Sequence, residues 1–477
     1  MPARSSAMSS LDALAAMLDP AAIVTDPQAL APHLADWRGQ HHGTALALLR
    51  PRSVEEVSTI LCWASATRTP VVPQGGNTGL SGGATPDGSG EAVVLSLARL
   101  NKIRAVDSAG DTLTAEAGCI LADVQQTAAA NDRLFPLSLG SEGSCQIGGV
   151  VATNAGGINV IRYGTVRDLA LGLEYVRADG AVIHGLKPLR KDNAGYALKD
   201  LVIGSEGTLA VVTAATFRLF PRPRISATAL CGFESPSDAL QLLALLRQAA
   251  GERISSFELM CDAEMGLTLD LMPGTALPLE RRHRWYVFIE LADSDPSGRV
   301  GELLTEALAT ALGQGLLQDA AIAQSEAQAK AIWNLRFAVA EANRRAGPIV
   351  SHDTSVAVAD VPAFITAVEA MTAVRFPEAR PLFVGHVGDG NIHVILLFPQ
   401  ETPAERSAYL GDAVNAEVFA ITSDFGGSIT AEHGIGRSLT GALIRQAQPE
   451  ALELMRAVKQ AFDPLGILNP GAVLAQR

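Results

Sequence analysis

At 477 residues the chain exceeds what one hydrophobic core serves, so two or more domains are expected. Hydrophobic residues make up 48% and charged residues 18%, and no run nears the roughly eighteen consecutive apolar residues of a membrane span, so a folded chain without a transmembrane segment is expected. The 37 basic against 50 acidic residues give a formal charge of −13, the wrong sign for a phosphate-backbone binder, which argues against nucleic acid as a partner.

In chain order, Arg4 and the serines beside it hint at a targeting peptide, but Asp12 soon follows and no secretory apolar core precedes a cleavage site. The five cysteines, Cys62, Cys119, Cys145, Cys231 and Cys261, are scattered, odd in number and free of C-x-x-C spacing, as expected of reduced thiols in a cytoplasmic protein. After an N-terminal segment, 1–44, residues 45–221 alternate β-branched runs (93–97, 173–183, 201–203) with glycine-rich turns and helical patterns. Two prolines in PRPR, 221–224, mark a domain boundary near 222. Beyond it the pattern predicts strand 226–232, helix 236–250, strands 254–260 and 285–291, helices 299–313 and 324–346, strand 349–356, helix 361–373, and strands 381–387 and 392–398. Strands mixed with amphipathic helices predict an α+β cap over 222–435 with a largely antiparallel sheet, followed by a helical segment, 436–477.

The first chemical motif is VVPQGGNTGLSGG at 71–83, an apolar strand end running into a loop. Glycines there let consecutive backbone N–H groups surround a diphosphate. IGGVVATNAGG at 147–157 and GSEGTL at 204–209 repeat the theme. One such loop alone is more often a tight turn, whereas three in one domain favour a nucleotide. Neither G-x-G-x-x-G nor G-x-x-x-x-G-K-[ST] occurs, which leaves a dinucleotide bound outside a Rossmann frame.

These segments resemble the vanillyl-alcohol-oxidase and p-cresol-methylhydroxylase flavoproteins from about residue 30 to ILNPG at 467–471. The resemblance implies an α+β fold with a two-part FAD-binding domain of the p-cresol-methylhydroxylase type. It implies that Pro73, Gln74, Gly75, Gly76, Asn77, Thr78, Gly79 and Leu80 cradle the diphosphate. Ser141, Gly148, Thr153, Asn154, Gly157 and Gly164 would line the flavin, Glu206 and Gly207 would border the adenosine side, and Asn469 would return from the C-terminal tail to the ring. Several relatives tether the flavin through a loop histidine; this loop carries Asn77 and no histidine, so FAD is expected to be noncovalent.

The second motif is PLFVGHVGDGNIHVILLF, 381–398, two apolar runs joined by Gly388-Asp389-Gly390-Asn391. A two-residue turn at Asp389-Gly390 would set His386 directly opposite His393, with Cβ atoms roughly 4.5–5.5 Å apart. Two such imidazoles can converge on a metal, given a third ligand from elsewhere. AEHGIGR at 431–437 offers Glu432 and His433 in a glycine-flanked turn. The spacing alone also suits two unrelated polar residues.

GHVGDGNIH followed by AEHGIG resembles the branch containing D-2-hydroxyglutarate, D-lactate and glycolate dehydrogenases. That likeness makes His386, His393 and Glu432 ligands of zinc or another divalent ion, and sets His433 near the substrate hydroxyl, with Asn391 in the catalytic set. A second-sphere supporting role is the alternative for His433. A 2-hydroxy acid loses a hydride from Cα, received by the flavin, and a proton from its hydroxyl. A metal there acts as Lewis acid, and an imidazole titrating near neutrality can serve as base. Arg336, in AIWNLRFAVAEA, matches the arginine that holds the substrate carboxylate, although a helical arginine is commonly a surface residue.

Hydroxyglutarate-oxidising relatives carry threonine or another residue four positions beyond that arginine, lysine fifteen beyond it, and asparagine two beyond the second histidine. Here those positions are Ala340, Ser351 and Ile395, with Arg344 and Arg345 as candidate substitutes for the lysine. D-2-hydroxyglutarate is expected on overall likeness, with D-lactate or another short 2-hydroxy acid as the alternative. The electron acceptor would be an electron-transfer flavoprotein, a quinone or another carrier, and a homodimer is an expectation. A flavin-bearing subunit of a glycolate-oxidase-like complex and a non-flavin metal protein are readings from other classes.

Overall fold

The computed structural model describes residues 11–475, so the stretch around Arg4 lies outside the described residues. Two compact units are present. One comprises the chain up to Gly156, Thr165–Pro221 and the chain from Glu432 onward; the other comprises Gly157–Gly164 and Arg222–Ala431. The break in the sequence at PRPR thus coincides with a unit border at Arg222, whereas the eight residues 157–164 belong with the later segment.

In the first unit Ala47–Leu49, Val93–Ser96 and Val71–Gln74 pair in parallel, with Ile23–Val24 antiparallel at the edge. The helix Val54–Thr67 carries the crossover from Ala47–Leu49 to Val71–Gln74, which flank Val93–Ser96 on its two sides. Ser53 caps it by accepting the Glu56 N–H, and Val57, Ile60, Leu61 and Ala64 bury one face at helical spacing. A second, five-stranded antiparallel sheet runs in the order Ile103–Asp107, Thr112–Glu116, Val211–Arg218, Ala170–Val176, Val182–Gly185. Residues 201–203, expected as a strand, instead begin inside the helix Leu198–Val202. Their β-branched run is too short to outweigh the preceding helix-forming residues.

The second unit is built on a seven-stranded sheet ordered Asp319–Ile322, Ile225–Phe233, Trp285–Asp293, Ile254–Cys261, Arg380–Gly385, Asn391–Leu397, Ile349–Ser355. Every neighbouring pair is antiparallel. Helices such as Pro236–Ala250, which buries Ala239, Leu242, Leu243, Leu246 and Ala250, complete its core. Beyond Arg222, three strands or α-helices of the described residues were not anticipated, the helix Ala404–Asp424 among them. Asp319–Ile322 is a four-residue edge strand, and the helix Asp262–Leu271 turns Glu264 and Thr268 inward, which masks its apolar periodicity. The helix expected over 324–346 is two, Glu326–Phe337 and Val339–Ala346, interrupted at Ala338, whose N–H reaches the Asn334 and Arg336 carbonyls.

Candidate active site

His393 lies on Asn391–Leu397, with Asp353 opposite it on one side and Val384 on the other. The expected pairing of His386 with His393 is therefore wrong by two residues. A two-residue hairpin turn needs positive φ at its first central position, and the type I′ turn favoured by Asp-Gly at both; Gly390 has it, at 91°, but Asp389 is not among the positive-φ residues. The connection is instead the longer loop 386–390, in which the Asp389 N–H donates to the His386 carbonyl and the Gly390 N–H to that of Val387. A Cβ on Gly390 would fall 2.1 Å from the Val356 carbonyl oxygen, so only glycine lets the chain pass there. A shift of two residues preserves the face, and the two imidazoles still meet, with centroids 5.8 Å apart and planes at 78°.

Each imidazole has a buried carboxylate beside it, and neither carboxylate was singled out from the sequence. Glu258, on Ile254–Cys261 and 1% exposed, accepts from His386 Nδ1 at 2.6 Å and from Arg336 Nε at 3.0 Å. Burial acts to raise the Glu258 pKa, but the charges of His386 and Arg336 and the hydrogen bonds they donate outweigh it, leaving the carboxyl below its ordinary range. Asp353 Oδ1 lies 3.6 Å from His393 Nδ1 and accepts from Asn391 Nδ2 at 2.9 Å. Its Oδ2 accepts the Ala431 N–H at 3.1 Å and the Thr430 hydroxyl at 3.4 Å, fixing the turn from which the chain runs directly into Glu432 and His433. For Glu258 the available signal was an acid set between Phe257 and Leu259 in a buried strand, because such a group is retained only with partners, whereas Asp353 lies in the polar stretch Ile349–Ser355 and carried no such signal.

Within the second unit the imidazoles of His386 and His393 thus meet beside Asp353, which holds Ala431, the residue that precedes Glu432 in the chain. Two imidazoles and a carboxylate form a donor set suited to a divalent transition metal such as zinc. His352, next to Asp353, bonds Asn415 and the Val394 carbonyl instead, and burial pulls its pKa down to about 4.

Arg336 sits in the last turn of Glu326–Phe337 with its side chain 12% exposed. Its Nε serves Glu258, while its two Nη groups have no protein acceptor among the described residues. Asn391 holds Asp353 and the Thr354 carbonyl through Nδ2, and its buried Oδ1 has no partner among the described residues. The expectation that Arg344 or Arg345 replaces a missing lysine on the Arg336 helix fails. Both lie on the separate helix Val339–Ala346, and both are paired with Glu341.

In the first unit, Val71–Gln74 delivers the chain to the glycine loop. Pro73 and Gln74 end that strand: a Cβ on Gly207 would lie 3.0 Å from the Pro73 ring, and buried Gln74 donates to the Ala84 and His33 carbonyls. From Gly76 through Asn77, Thr78 and Gly79 to Leu80, the backbone N–H groups meet no protein acceptor among the described residues. Consecutive amides left in this state fit a diphosphate. Gly75 precedes them near the Gln146 side chain, and a Cβ on Gly76 would sit 2.1 Å from the Ser144 carbonyl oxygen, so the loop presses against 141–145. There the Ser141 carbonyl accepts from Ser144 and Cys145.

Several other expected flavin contacts have side chains engaged by the protein. A Cβ on Gly148 would come within 2.9 Å of the Ala117 Cβ, Thr153 bonds the Gly149 carbonyl, and Asn154 Oδ1 accepts the Arg167 N–H. Gly157 and Gly164, both at positive φ, bracket the segment that belongs to the second unit. The Glu206 carboxylate accepts the N–H groups of Ile435 and Gly436 at 2.8 Å each, and burial raises its pKa to about 7. Asn469 does return from the tail, its N–H on the Val71 carbonyl, but its amide donates to the Gly83 and Glu206 carbonyls and accepts from Arg437. Glu206 and Asn469 thus tie loops together through their side chains.

Comparison with known proteins agrees with this geometry. Residues 45–185 match the model of an FAD binding domain, and residues 222–473 match that of the C-terminal domain of FAD linked oxidases. The chain is 39% identical to the mitochondrial D-2-hydroxyglutarate dehydrogenase of Bos taurus, over 95% of this chain and 81% of that protein. It is 38% identical to the D-2-hydroxyglutarate dehydrogenase of Xanthomonas citri, over 94% of this chain and 93% of that one. Among solved structures, p-cresol methylhydroxylase superposes with a TM-score of 0.76 at 16% identity, covering 98% of this chain and 96% of that one, a likeness of fold. The unbonded amides of the glycine loop, the two matched domains and the relatives together make this chain a member of the FAD-linked oxidase family, alongside the D-2-hydroxyglutarate dehydrogenases.

Proposed function

We propose that the protein oxidises D-2-hydroxyglutarate to 2-oxoglutarate with noncovalent FAD and a divalent metal, zinc first among candidates, held by His386, His393 and Glu432. The observation that carries the site is the meeting of the two imidazoles, centroids 5.8 Å apart, beside Asp353, which bonds the Ala431 N–H one residue before Glu432. The substrate rests on the relatives' activity at up to 39% identity over nearly the whole chain. When bound, FAD supplies the hydride acceptor and the divalent ion a Lewis acid for the substrate hydroxyl. Arg336 donates from its two Nη groups to the substrate carboxylate, a planar bidentate arrangement that fixes the Cα–H direction. His433 takes the hydroxyl proton on an imidazole nitrogen as the Cα–H electron pair leaves. Two electrons then pass to an external carrier, for which an electron-transfer flavoprotein or a quinone has suitable chemistry.

A second substrate, D-lactate or another short D-2-hydroxy acid, is favoured by one observation. Ser351 and Ile395, a hydroxyl and an alkyl group, face each other beside His393 where a cation and an amide would suit a distal carboxylate. Measuring kcat/KM for D-2-hydroxyglutarate, D-lactate, D-malate and the L-isomers separates the readings. Preference for D-2-hydroxyglutarate supports the first, preference for D-lactate the second, and preference for an L-isomer overturns the assigned geometry.

We also propose a cytoplasmic location, consistent with five free cysteines, and a homodimer. Fractionation and sedimentation test these. Among the described residues no helix is long and apolar enough to cross a membrane.

A further inference from the structure

We infer that Glu258 is a positioning residue that couples the metal ligand His386 to the carboxylate-binding Arg336. This inference rests on the reading of His386 as a ligand given above. The two bonds arise from opposite oxygens of one carboxylate, Oε1 to His386 Nδ1 at 2.6 Å and Oε2 to Arg336 Nε at 3.0 Å. The three groups come from three distant segments: the strand Ile254–Cys261, the loop after Arg380–Gly385, and the helix Glu326–Phe337.

The consequences follow from donor and acceptor counting. An ionised carboxylate has only acceptors, so His386 must carry its proton on Nδ1, which leaves the Nε2 lone pair as its ligand atom. Arg336 is likewise held through Nε, and neither Nη group bonds Glu258, which leaves them for a second carboxylate. One buried anion thereby sets the tautomer of a ligand and the aim of the substrate fork. A displacement of either partner is transmitted to the other through a single rigid group. Glutamine at 258 has the same volume but one acceptor oxygen, and it presents an NH2 group to the other donor, so one of the two bonds must break.

The test uses the purified holoenzyme. For Glu258→Gln, expected are a zinc dissociation constant, measured by chelator competition, raised about 10- to 100-fold, a raised KM for D-2-hydroxyglutarate, and unchanged FAD content. Glu258→Asp, which keeps both acceptors on a shorter stem, should recover part of both losses, and it carries the test if the glutamine variant does not accumulate. Wild-type zinc affinity and KM in a folded Glu258→Gln protein, or a loss of zinc affinity with no change in KM, would overturn the coupling. A wild-type protein without stoichiometric divalent metal would overturn the metal-site reading itself, a result told apart because it appears before any substitution at Glu258.

Discussion

Ser351 stands directly opposite Ile395 where Ile349–Ser355 pairs with Asn391–Leu397, on the strand face that also carries Asp353 and His393. Two departures from the hydroxyglutarate pattern, 44 positions apart in sequence by subtraction, are thus cross-strand neighbours. Ser351→Lys should raise kcat/KM for D-2-hydroxyglutarate relative to D-lactate by about tenfold or more, because one charged hydrogen bond to a carboxylate contributes roughly 1.5–3 kcal/mol. An unchanged ratio would remove this pair from the distal-carboxylate region.

His433→Ala should lower kcat by about 10²–10⁴-fold and leave KM within a few fold, as expected of a group acting on a proton in the transition state. Steady-state kinetics at several pH values check this. A change confined to KM would assign the imidazole to binding.

Glu264, fully buried on Asp262–Leu271, accepts from Asn343 Nδ2 through one oxygen, while the other has no partner among the described residues. Burial raises its pKa from 4.5 to about 7. A folded-state pKa above the unfolded value means that stability is fully present below pH 4.5, declines as pH rises toward 7, and stays reduced beyond. Glu264→Gln should flatten that decline and stabilise the protein at pH 8 by about 1–3 kcal/mol. Thermal melts of wild type and variant at pH 5 and 8 measure it, and parallel pH profiles would contradict it. Glu206 is raised to about 7 for the same first reason and adds to the wild-type slope.

Acid precipitation should release FAD into the supernatant. No histidine lies in the loop 73–83, and although His41 packs against Gly82, its Nε2 is engaged with Ser438 Oγ at 2.8 Å. Flavin remaining with the pellet would refute noncovalent binding.

Much of the second unit was legible because its elements keep one period each. Pro236–Ala250 and Ile225–Phe233 fall within a residue or so of the limits read from pattern. What was not legible depends on tertiary contacts. Glu264 and Thr268 point inward and disguise a helix; the two-residue offset at His386 depends on Gly390 passing against the Val356 carbonyl. Glu258 and Asp353 are single acids without a motif, and only folding reveals that each lies beside one imidazole. The glycine loop was legible as backbone chemistry, but the roles of Gln74, Glu206 and Asn469 were not, since the same side chains that can touch a nucleotide can also hold loops.

The most direct measurement is anaerobic reduction of the bound flavin, followed by its visible absorbance on adding D-2-hydroxyglutarate to metal-replete and exhaustively chelated protein. Expected is rapid bleaching in the first, little or none in the second, and recovery when zinc is restored, with FAD content equal throughout. Equal bleaching rates in the two samples would contradict a catalytic metal at His386, His393 and Glu432, and no bleaching in either would contradict oxidation of D-2-hydroxyglutarate.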